Sequence, residues 1–297
     1  MFLKKALSSL LSLGFAAALL LPTTSADAEV VKVFLLGGQS NMVGKGKTAE
    51  LPVALQAPQD DVLFFWGQGN GTVNDPLVTS GLTTLQPGSG GTINEFGPEV
   101  TFGQTVADAF PDESFALIKY AAEGTNLHIN WGAPGGSFYR EFRNTVSSGL
   151  DALVAAGHTP VIVGMLWYQG AADAKLNRTT EQYEFDLNEF IADLRTNHYG
   201  QDLPFFLARL SSGSPLLPDQ LANIRTAQEN VAAADPLAYL IDADSLTFGS
   251  NEHINAAGQM ELGQRFAQAY IATAPEPSTL ALVVTMALLT LRRRRLP

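Results

Sequence analysis

Short apolar runs alternate along the chain with longer segments of helical periodicity, and this alternation restricts the fold more than any other feature. The runs are nearly continuous in apolar residues and do not alternate with polar ones. Strands of this kind are buried on both faces, which is typical of a parallel sheet covered by helices. The predicted strands are Val30 to Leu36, Val62 to Trp66, Phe115 to Tyr120, Val161 to Trp167, Pro204 to Leu210 and Leu237 to Ile241.

Amphipathic segments with a helical repeat separate several of these strands. The predicted helices are Glu99 to Phe110, Arg140 to Ala156, Glu181 to Thr196, Pro218 to Ala234 and Gly258 to Ile271. The order predicts an α/β fold, a three-layer α/β/α sandwich around a flavodoxin-like, doubly wound parallel sheet. Ligands of such sheets bind at the carboxyl ends of the strands. The Gly-, Thr-, Asn- and Pro-rich stretch from 67 to 97 interrupts the pattern, and we expect it to form a specificity loop.

Both ends of the chain indicate export. Residues 1–28 contain two lysines, an apolar run and the sequence Ala26-Asp27-Ala28, which is the pattern of a cleavable secretory signal rather than of a membrane anchor. Residues 275–297 contain Pro-Glu-Pro, a short apolar stretch and four consecutive arginines. This tail resembles the PEP-CTERM sorting signal of Gram-negative bacteria, and a plain C-terminal anchor is the alternative.

The PEP-CTERM resemblance implies three things about the mature protein. The tail associates transiently with the membrane, an exosortase-type protease removes it, and the protein reaches the cell surface, the exopolysaccharide matrix or the medium. One domain, residues 29–274, remains after both ends are processed.

Charge and cysteine content exclude several functions. The chain has 18 basic and 29 acidic residues, a net charge of −11, which argues against nucleic acid or an anionic membrane as a partner. It has no cysteine, so disulfides, a thiol nucleophile and a cysteine metal site are excluded. No metal-ligand spacing and no phosphate-binding glycine fingerprint occurs in the sequence, so we expect no metal and no cofactor.

A serine between two carboxamide residues follows the first predicted strand. The sequence Gly37-Gly38-Gln39-Ser40-Asn41 places Ser40 after a tight glycine turn, where a nucleophile would be exposed to a substrate. An ordinary turn or N-cap serine is the alternative. The G-x-S-x-G motif of α/β-hydrolases is absent.

The motif and its successors resemble the SGNH-hydrolase superfamily, and more narrowly its sialate O-acetylesterase-like and acetylxylan esterase-like carbohydrate acetylesterases. After GQSNM at Gly38, the resemblance continues through FGPE at Phe96, KYAAEGTNL at Lys119, LWYQGAAD at Leu166 and the block that begins at His253. It covers residues 33–271, nearly the whole mature chain.

The resemblance implies a role for each of several residues. Ser40 is the nucleophile and His253 the general base, whereas His158 and His198 are interpreted as loop residues. The oxyanion would be bound by the Ser40 N–H, the Gly124 N–H and the side-chain amide of Gln169. We expect the following side chains to contact substrate: Gln39, Asn41, His128 and Trp131, although the sequence leaves open whether Trp131 lies in the crevice or in the core.

Two positions depart from the family pattern. The usual orienting acid lies three residues before the histidine, and that residue is Ser250 here. The acidic residue that usually follows Gln-Gly is Ala171. One of Asp242, Asp244 or Glu252 could orient the imidazole instead, or Ser40 and His253 could act as a dyad.

The sequence therefore predicts an exported serine esterase that removes O-acetyl groups from a carbohydrate through an acyl-enzyme. Sialate, xylan and exopolysaccharide are the substrate types considered. Ala171 and Ser250 motivate an alternative, a carbohydrate-binding or matrix protein that has kept the fold and lost the chemistry.

Overall fold

A computed structural model describes residues 28–69, 78–79, 81–249 and 252–274 of the 297-residue chain. Its strands are β1 (Val30–Gly38), β2 (Gly46–Lys47), β3 (Gln59–Gly69), β4 (Val78–Thr79), β5 (Thr83–Leu85), β6 (Glu95–Phe96), β7 (Ser114–Ala122), β8 (Thr159–Tyr168), β9 (Phe205–Ala208) and β10 (Ala238–Ile241). The α-helices are α1 (Ser40–Val43), α2 (Val53–Gln56), α3 (Glu99–Ala109), α4 (Ser137–Ala155), α5 (Ala171–Lys175), α6 (Thr180–Asp193), α7 (Pro218–Ala234) and α8 (Ala256–Thr273). A 3₁₀ turn covers Thr48–Glu50, and π-helical turns cover Leu127–Trp131 and Leu194–Tyr199.

The six predicted strands form one parallel sheet with β1 at its centre. The order across the main sheet is β10-β9-β8-β1-β7-β3-β4, and β5 also pairs with β3. All pairs from β10 to β3 are parallel, whereas β4 and β5 run antiparallel to β3 at the edge. The antiparallel edge lies in the stretch from 67 to 97, which the sequence analysis treated as a loop.

Helices cover both faces of this sheet, so the predicted three-layer α/β/α fold is confirmed. On one face the ring of Phe34 meets those of Phe102 in α3 and Tyr270 in α8, with centroids 4.8 and 4.7 Å away. On the other face Trp167 lies 4.6 Å from Phe190 of α6. Helix α4 lies on this second face against β7 and β8, and α7 packs beside α6. The hydrophobic core consists of the aromatic and aliphatic side chains between the sheet and the helices on its two faces.

Several sequence predictions fall outside the described residues. These are the signal sequence up to residue 27, the sorting tail from residue 275, residues 70–77 and 80 of the predicted specificity loop, and Ser250. Within the described part of the chain, no helix combines the length and the apolar character needed to cross a bilayer.

A fully buried ion pair connects the sheet to α1 and α3. Lys119 of β7 donates to Glu99 Oε2 of α3 at 2.8 Å and to the Val43 carbonyl at the end of α1, also at 2.8 Å. Glu99 Oε1 accepts from Ser89 Oγ and from the Gly97 N–H, each at 2.8 Å. Burial lowers the pKa of Lys119, and the Glu99 carboxylate opposes this shift. The pair therefore fixes α1 and the loop before α3 with charged hydrogen bonds that water cannot replace.

Removal of one partner should destabilise the protein strongly. We expect Lys119→Met to lower the free energy of unfolding by about 3 kcal/mol or more, since it leaves the Glu99 carboxylate buried and unpaired. The double variant Lys119→Met with Glu99→Leu should recover part of this loss, because neither charge then remains in the core. Urea unfolding followed by circular dichroism measures both values.

The partly exposed pair of Lys32 and Glu113 supplies the control. Lys32→Met should cost less than about 1 kcal/mol, because exposed ion pairs contribute little. A Lys119→Met variant as stable as this control would contradict the proposed structural role of the buried pair.

Candidate active site

Three neighbouring strands and one distant loop meet at a cleft at the carboxyl edge of the sheet. Ser40 follows β1, Gly124 follows β7 and Gln169 follows β8, so three predicted residues come from adjacent strand ends. His253 reaches the same edge in the loop between β10 and α8. The cleft has a volume of about 550 Å³ and is lined by Gln39, Ser40, Glu123, Gly124, Asn126, Ala172, Lys175, Leu176, Glu252 and His253.

The backbone at the end of β1 explains the glycines before Ser40. Gly38 has φ +144°, and a Cβ at this position would lie 2.2 Å from the Tyr168 carbonyl oxygen of β8. Only glycine permits this approach. Gln39 then resumes an extended conformation, and its N–H donates to the same Tyr168 oxygen at 3.0 Å. Helix α1 starts at Ser40, whose side chain lies on the cleft with 6% of its surface exposed.

Gln39 connects the segment that carries Ser40 to the loop after β8. Its Oε1 accepts hydrogen bonds from the Gly170 N–H at 2.9 Å and from the Ala172 N–H at 3.3 Å. Gln39 is predicted to contact substrate, and it does line the cleft, but its carbonyl oxygen is already engaged by the protein.

Asn41 ties the same segment to the histidine loop. Its Oδ1 accepts from the Ile254 N–H at 2.9 Å, and its backbone carbonyl accepts from Gln259 of α8 at 3.2 Å. Asn41 is therefore buried behind the cleft, where it holds the residue next to His253. This is a positioning contact, not the substrate contact predicted from the sequence.

The histidine loop is also braced within itself. Phe248 and Ile254 form an antiparallel bridge, and the Gly249 N–H donates to the His253 carbonyl at 2.9 Å. Asn255 caps α8 by accepting from the Gly258 N–H at 3.0 Å. The His253 carbonyl and the two residues that follow it are thus held by Gly249, α1 and α8.

Burial and nearby charges set the protonation of His253. Desolvation is the largest cause that lowers the pKa of the half-buried imidazole, and the positive charge of Lys45 is the next. Glu252 and Glu123 oppose the shift, and Lys175 adds to it. The two lysines are themselves paired, Lys45 with Glu123 and Lys175 with Glu252, the latter at 2.6 Å. The neutral imidazole that a general base requires is therefore favoured near neutral pH.

Of the three carboxylates considered as substitutes for the missing acid, Glu252 alone lines the cleft. Arg209 donates to both Asp242, at 2.9 Å, and Asp244, at 2.8 Å. Asp244 also accepts from Arg225 through both oxygens, and this pairing holds the pKa of the Asp244 carboxyl far below its usual range. Arginines thus occupy both aspartates, whereas Glu252 lines the cleft with His253 and pairs with Lys175.

Gly124 is predicted from the sequence to be an oxyanion donor, and it lies at the cleft. It lines the cleft, and its φ of +65° is in the left-handed region that favours glycine. Apart from the two chain neighbours, no described residue has a heavy atom within 4 Å of the place where a Cβ would be, so the backbone there faces open space.

The position of Gln169 corrects the prediction that its amide binds the oxyanion. The side chain has no exposed surface and is not part of the cleft lining. Its Nε2 donates to Asp173 Oδ2 at 2.6 Å and to the Thr125 carbonyl at 3.1 Å, and its Oε1 accepts from the Tyr183 hydroxyl at 2.9 Å. Both amide hydrogens are therefore used behind the cleft.

Asp173 completes this network, and the sequence analysis did not identify it. Its carboxylate accepts the Leu127 N–H at 2.9 and 3.1 Å and the Gln169 amide, so it joins the segments after β7 and β8. Burial raises the pKa of this carboxyl, and the Gln169 hydrogen bond opposes the shift. Its place in LWYQGAAD, four residues after Gln169, is the only signal in the sequence.

Asn126 also lines the cleft with a side-chain amide, and the sequence analysis missed it too. Its Oδ1 caps the turn at Leu127–Trp131 by accepting from the Ile129 N–H at 2.8 Å. The Nδ2 end of the amide is consequently the end that can serve as a donor in the cleft. Its position two residues after Gly124 is the signal that could have identified it.

The two remaining predicted substrate contacts lie away from the cleft. Trp131 is fully buried, donates its indole N–H to Thr125 Oγ1 at 2.8 Å and meets Trp167 edge to face at 5.0 Å. It belongs to the core, and the prediction of a sugar contact is not supported. His128 is exposed, with its Nδ1 3.2 Å from Asp186 of α6, and it does not line the cleft.

Comparison with known proteins identifies relatives with the same architecture. The family model for carbohydrate esterases described as sialic acid-specific acetylesterases matches residues 30–272. A probable carbohydrate esterase of Arabidopsis thaliana is 24% identical over 260 residues, which are 81% of this chain and 90% of the plant protein.

Two solved structures share the fold. The crystal structure of an Arabidopsis thaliana protein matches with a TM-score of 0.61 and 21% identity, over 82% of this chain and 98% of that one. A carbohydrate acetylesterase from Xanthomonas citri matches with a TM-score of 0.53 and 17% identity, over 80% of this chain and 55% of that one. Since the family model covers most of the sequence, the chain belongs to the carbohydrate esterase family that this model describes.

Proposed function

We propose that the protein is a serine esterase that removes O-acetyl groups from carbohydrates through an acyl-enzyme formed on Ser40. One observation carries the proposal. Ser40 and His253, 213 residues apart in the chain, line the same cleft, and Gly124 and Asn126 line it with them. A nucleophile, a base and two candidate oxyanion donors are thus present in one cleft that can hold an ester.

The first half-reaction forms the acyl-enzyme. Ser40 Oγ attacks the acetyl carbonyl while His253 accepts the hydroxyl proton. The carbonyl oxygen becomes an oxyanion, which the N–H groups of Ser40 and Gly124 and the Nδ2 of Asn126 would stabilise. Collapse of this intermediate breaks the bond to the sugar oxygen, and the imidazolium returns its proton to that oxygen as the alcohol leaves.

The second half-reaction restores the enzyme. A water molecule gives a proton to His253 and attacks the acetyl-serine carbonyl. The same donors hold the second oxyanion, and the imidazolium protonates Ser40 Oγ as acetate departs. One turnover therefore consumes the ester and one water molecule, releases the alcohol and acetic acid, and returns Ser40 and His253 to their starting protonation states.

The ends of the sequence support a proposal about location. We infer export through the predicted signal at 1–28 and release by an exosortase-type protease that acts on the tail at 275–297. A surface or matrix location would bring the enzyme to exopolysaccharide or to other acetylated glycans outside the cell.

Replacement of Ser40 tests the nucleophile directly. We expect Ser40→Ala to lower kcat for p-nitrophenyl acetate and for an acetylated oligosaccharide by about 10⁴-fold or more, because the acyl-enzyme cannot form. Acetate release measures both rates. Ser147→Ala, on the exposed side of α4, is the matched control and should retain full activity. A Ser40→Ala rate equal to that of the control would remove Ser40 from the mechanism.

A fluorophosphonate probe distinguishes the esterase from the alternative, a binding protein without chemistry. Two observations favour that alternative. Ala171 replaces an acidic residue of the family pattern, and arginines already pair with Asp242 and Asp244. We expect covalent labelling of the wild type on Ser40, detected by peptide mass spectrometry. Binding of acetylated glycan without any labelling would instead favour the non-catalytic function.

Replacement of Asn126 tests the side-chain oxyanion donor. Asn126→Ser keeps an oxygen that can cap the following turn but removes the amide donor. We expect a fall in kcat of roughly 10²-fold, with KM and the melting temperature little changed. Steady-state kinetics and thermal denaturation give these values. A large fall in melting temperature with unchanged kcat would show that Asn126 serves the turn alone.

The acid limb of the pH–rate profile should report His253. The value of kcat/KM rises with pH as the imidazole loses its proton. Because the folded protein lowers the pKa of His253, the midpoint of this rise should lie below the pKa of an ordinary histidine. Lys45→Met removes a charge that lowers this pKa, and the midpoint should move to higher pH. Glu252→Gln removes a charge that raises it, and the midpoint should move to lower pH. Shifts in the same direction for both variants would contradict this electrostatic account.

A further inference from the structure

A second cavity is also lined by His253 and carries no role in the proposed reaction. It has a volume of about 420 Å³ and is lined by Lys45, Lys47, Glu50, Glu95, Gly249, His253, Ile254, Asn255 and Ala256. The ion pair of Lys45 with Glu123 joins a lining residue of this cavity to a lining residue of the cleft that holds Ser40. His253 and this ion pair therefore lie where the two cavities adjoin.

We propose that this second cavity is the binding site for the sugar that leaves, and that it accepts an uncharged, hydroxyl-rich saccharide. The proposal rests on the esterase function proposed above. It assigns the acyl group to the cavity around Ser40 and the alcohol part of the substrate to the cavity around Lys47 and Glu95.

Proton transfer determines on which side the sugar must lie. The imidazolium of His253 has to reach the ester oxygen that becomes the sugar hydroxyl, so this oxygen lies beside the ring. The carbonyl oxygen points the other way, toward Gly124 and Asn126 in the first cavity. The rest of the alcohol then extends away from Gly124 and Asn126, and we assign to it the second cavity, which His253 also lines.

The charges of the second cavity do not suit an acidic sugar. Two lysines and two glutamates line it, and each lysine already pairs with a carboxylate. Lys47 donates to Glu95 Oε1 at 2.5 Å, and Lys45 pairs with Glu123. A sugar carboxylate would find no uncompensated cation among these residues and would meet Glu50 and Glu95, which costs free energy in a partly desolvated site.

The same residues suit hydroxyl groups. The side chain of Lys47 is 58% exposed and Glu50 is exposed as well, so both can contact a ligand in the cavity. Charged groups form stronger hydrogen bonds to hydroxyl groups than neutral ones do. Lysine and glutamate side chains together offer both donors and acceptors, as a hydroxyl-rich ligand requires.

The backbone holds these side chains in place before any ligand binds. Lys47 and Glu95 are opposite one another in the antiparallel pair of β2 and β6. Gly46 packs so closely on the Phe96 ring that a Cβ would lie 2.7 Å from it. Phe96, Ala256 and three further buried apolar residues form a small core beneath this surface. The cavity is thus a preformed surface, which reduces the entropy lost on binding.

Two variants test the subsite by comparing substrates with and without a sugar. Lys47→Met and Glu50→Ala should each lower, by about tenfold, the ratio of kcat/KM for acetylated xylobiose to kcat/KM for p-nitrophenyl acetate. They remove hydrogen bonds to the saccharide, each of which changes binding by about this factor. Lys32→Met, at the far end of β1, is the matched control and should leave the ratio unchanged. Unchanged ratios in both Lys47→Met and Glu50→Ala would overturn the assignment.

A charged sugar tests the second half of the proposal. The wild type should favour acetylated xylobiose over O-acetylated sialic acid by at least about tenfold in kcat/KM, because only the latter brings a carboxylate. A preference of similar size for the sialic acid would overturn the inference of an uncharged ligand.

Binding to an inactive variant separates this proposal from the proposed function. Isothermal titration of acetylated xylobiose into Ser40→Ala should give a Kd that rises about tenfold when Lys47→Met is added. This measurement needs no turnover. If the wild type fails to cleave p-nitrophenyl acetate, the esterase proposal fails and the titration still decides the subsite. Equal affinities of the single and double variants would reject the subsite whatever the activity.

Discussion

The two carboxamides that flank Ser40 hold together the parts of the chain on which the site depends. Gln39 accepts the backbone N–H groups of Gly170 and Ala172, and Asn41 accepts that of Ile254. The segment after β8 and the loop that carries His253 are thus both held by residues adjacent to Ser40. Side-chain oxygens suit this purpose, since loop N–H groups buried at a strand end have no sheet partner and must be satisfied in another way.

Two further buried polar groups also stabilise this arrangement. Lys119 holds the carbonyl at the end of α1, while Asp173 holds the N–H of Leu127 and the amide of Gln169. Apolar residues of similar size would often stabilise a core as well as such groups do. The polar groups differ in that each hydrogen bond requires one geometry, so together they fix the positions of α1, the Gly124 turn and the loop after β8. Precise placement of reacting groups is what an ester-cleaving site requires of its scaffold.

Much of the fold was predictable because its signals are local, whereas the roles of site residues were not. The apolar runs predicted all six parallel strands, and the helical repeats predicted α3, α4, α6, α7 and α8 to within a few residues. The antiparallel edge of β4 and β5 was missed, because short strands that pair only at an edge carry no apolar run. Gln169, Trp131 and Asn126 show the limit for the site. Each follows a strand end, but side-chain direction decides whether a residue faces the cleft or the core, and no local pattern encodes that direction.

The charges around His253 affect the proposed chemistry, because Ser250 stands where the family usually has the acid that orients the histidine. An orienting carboxylate normally stabilises the imidazolium that forms in the transition state. Here Glu252 and Glu123 favour the imidazolium and Lys45 and Lys175 disfavour it, and the lysines are paired with those same two glutamates. Burial, the largest cause, and the two lysines together outweigh the glutamates, so the pKa of the ring is lowered. A site with this net shift disfavours the imidazolium that forms when the proposed base accepts a proton. The activated acetyl ester of p-nitrophenol, which needs little help from an acid, should consequently suit it better than an unactivated ester whose alcohol must be protonated on departure.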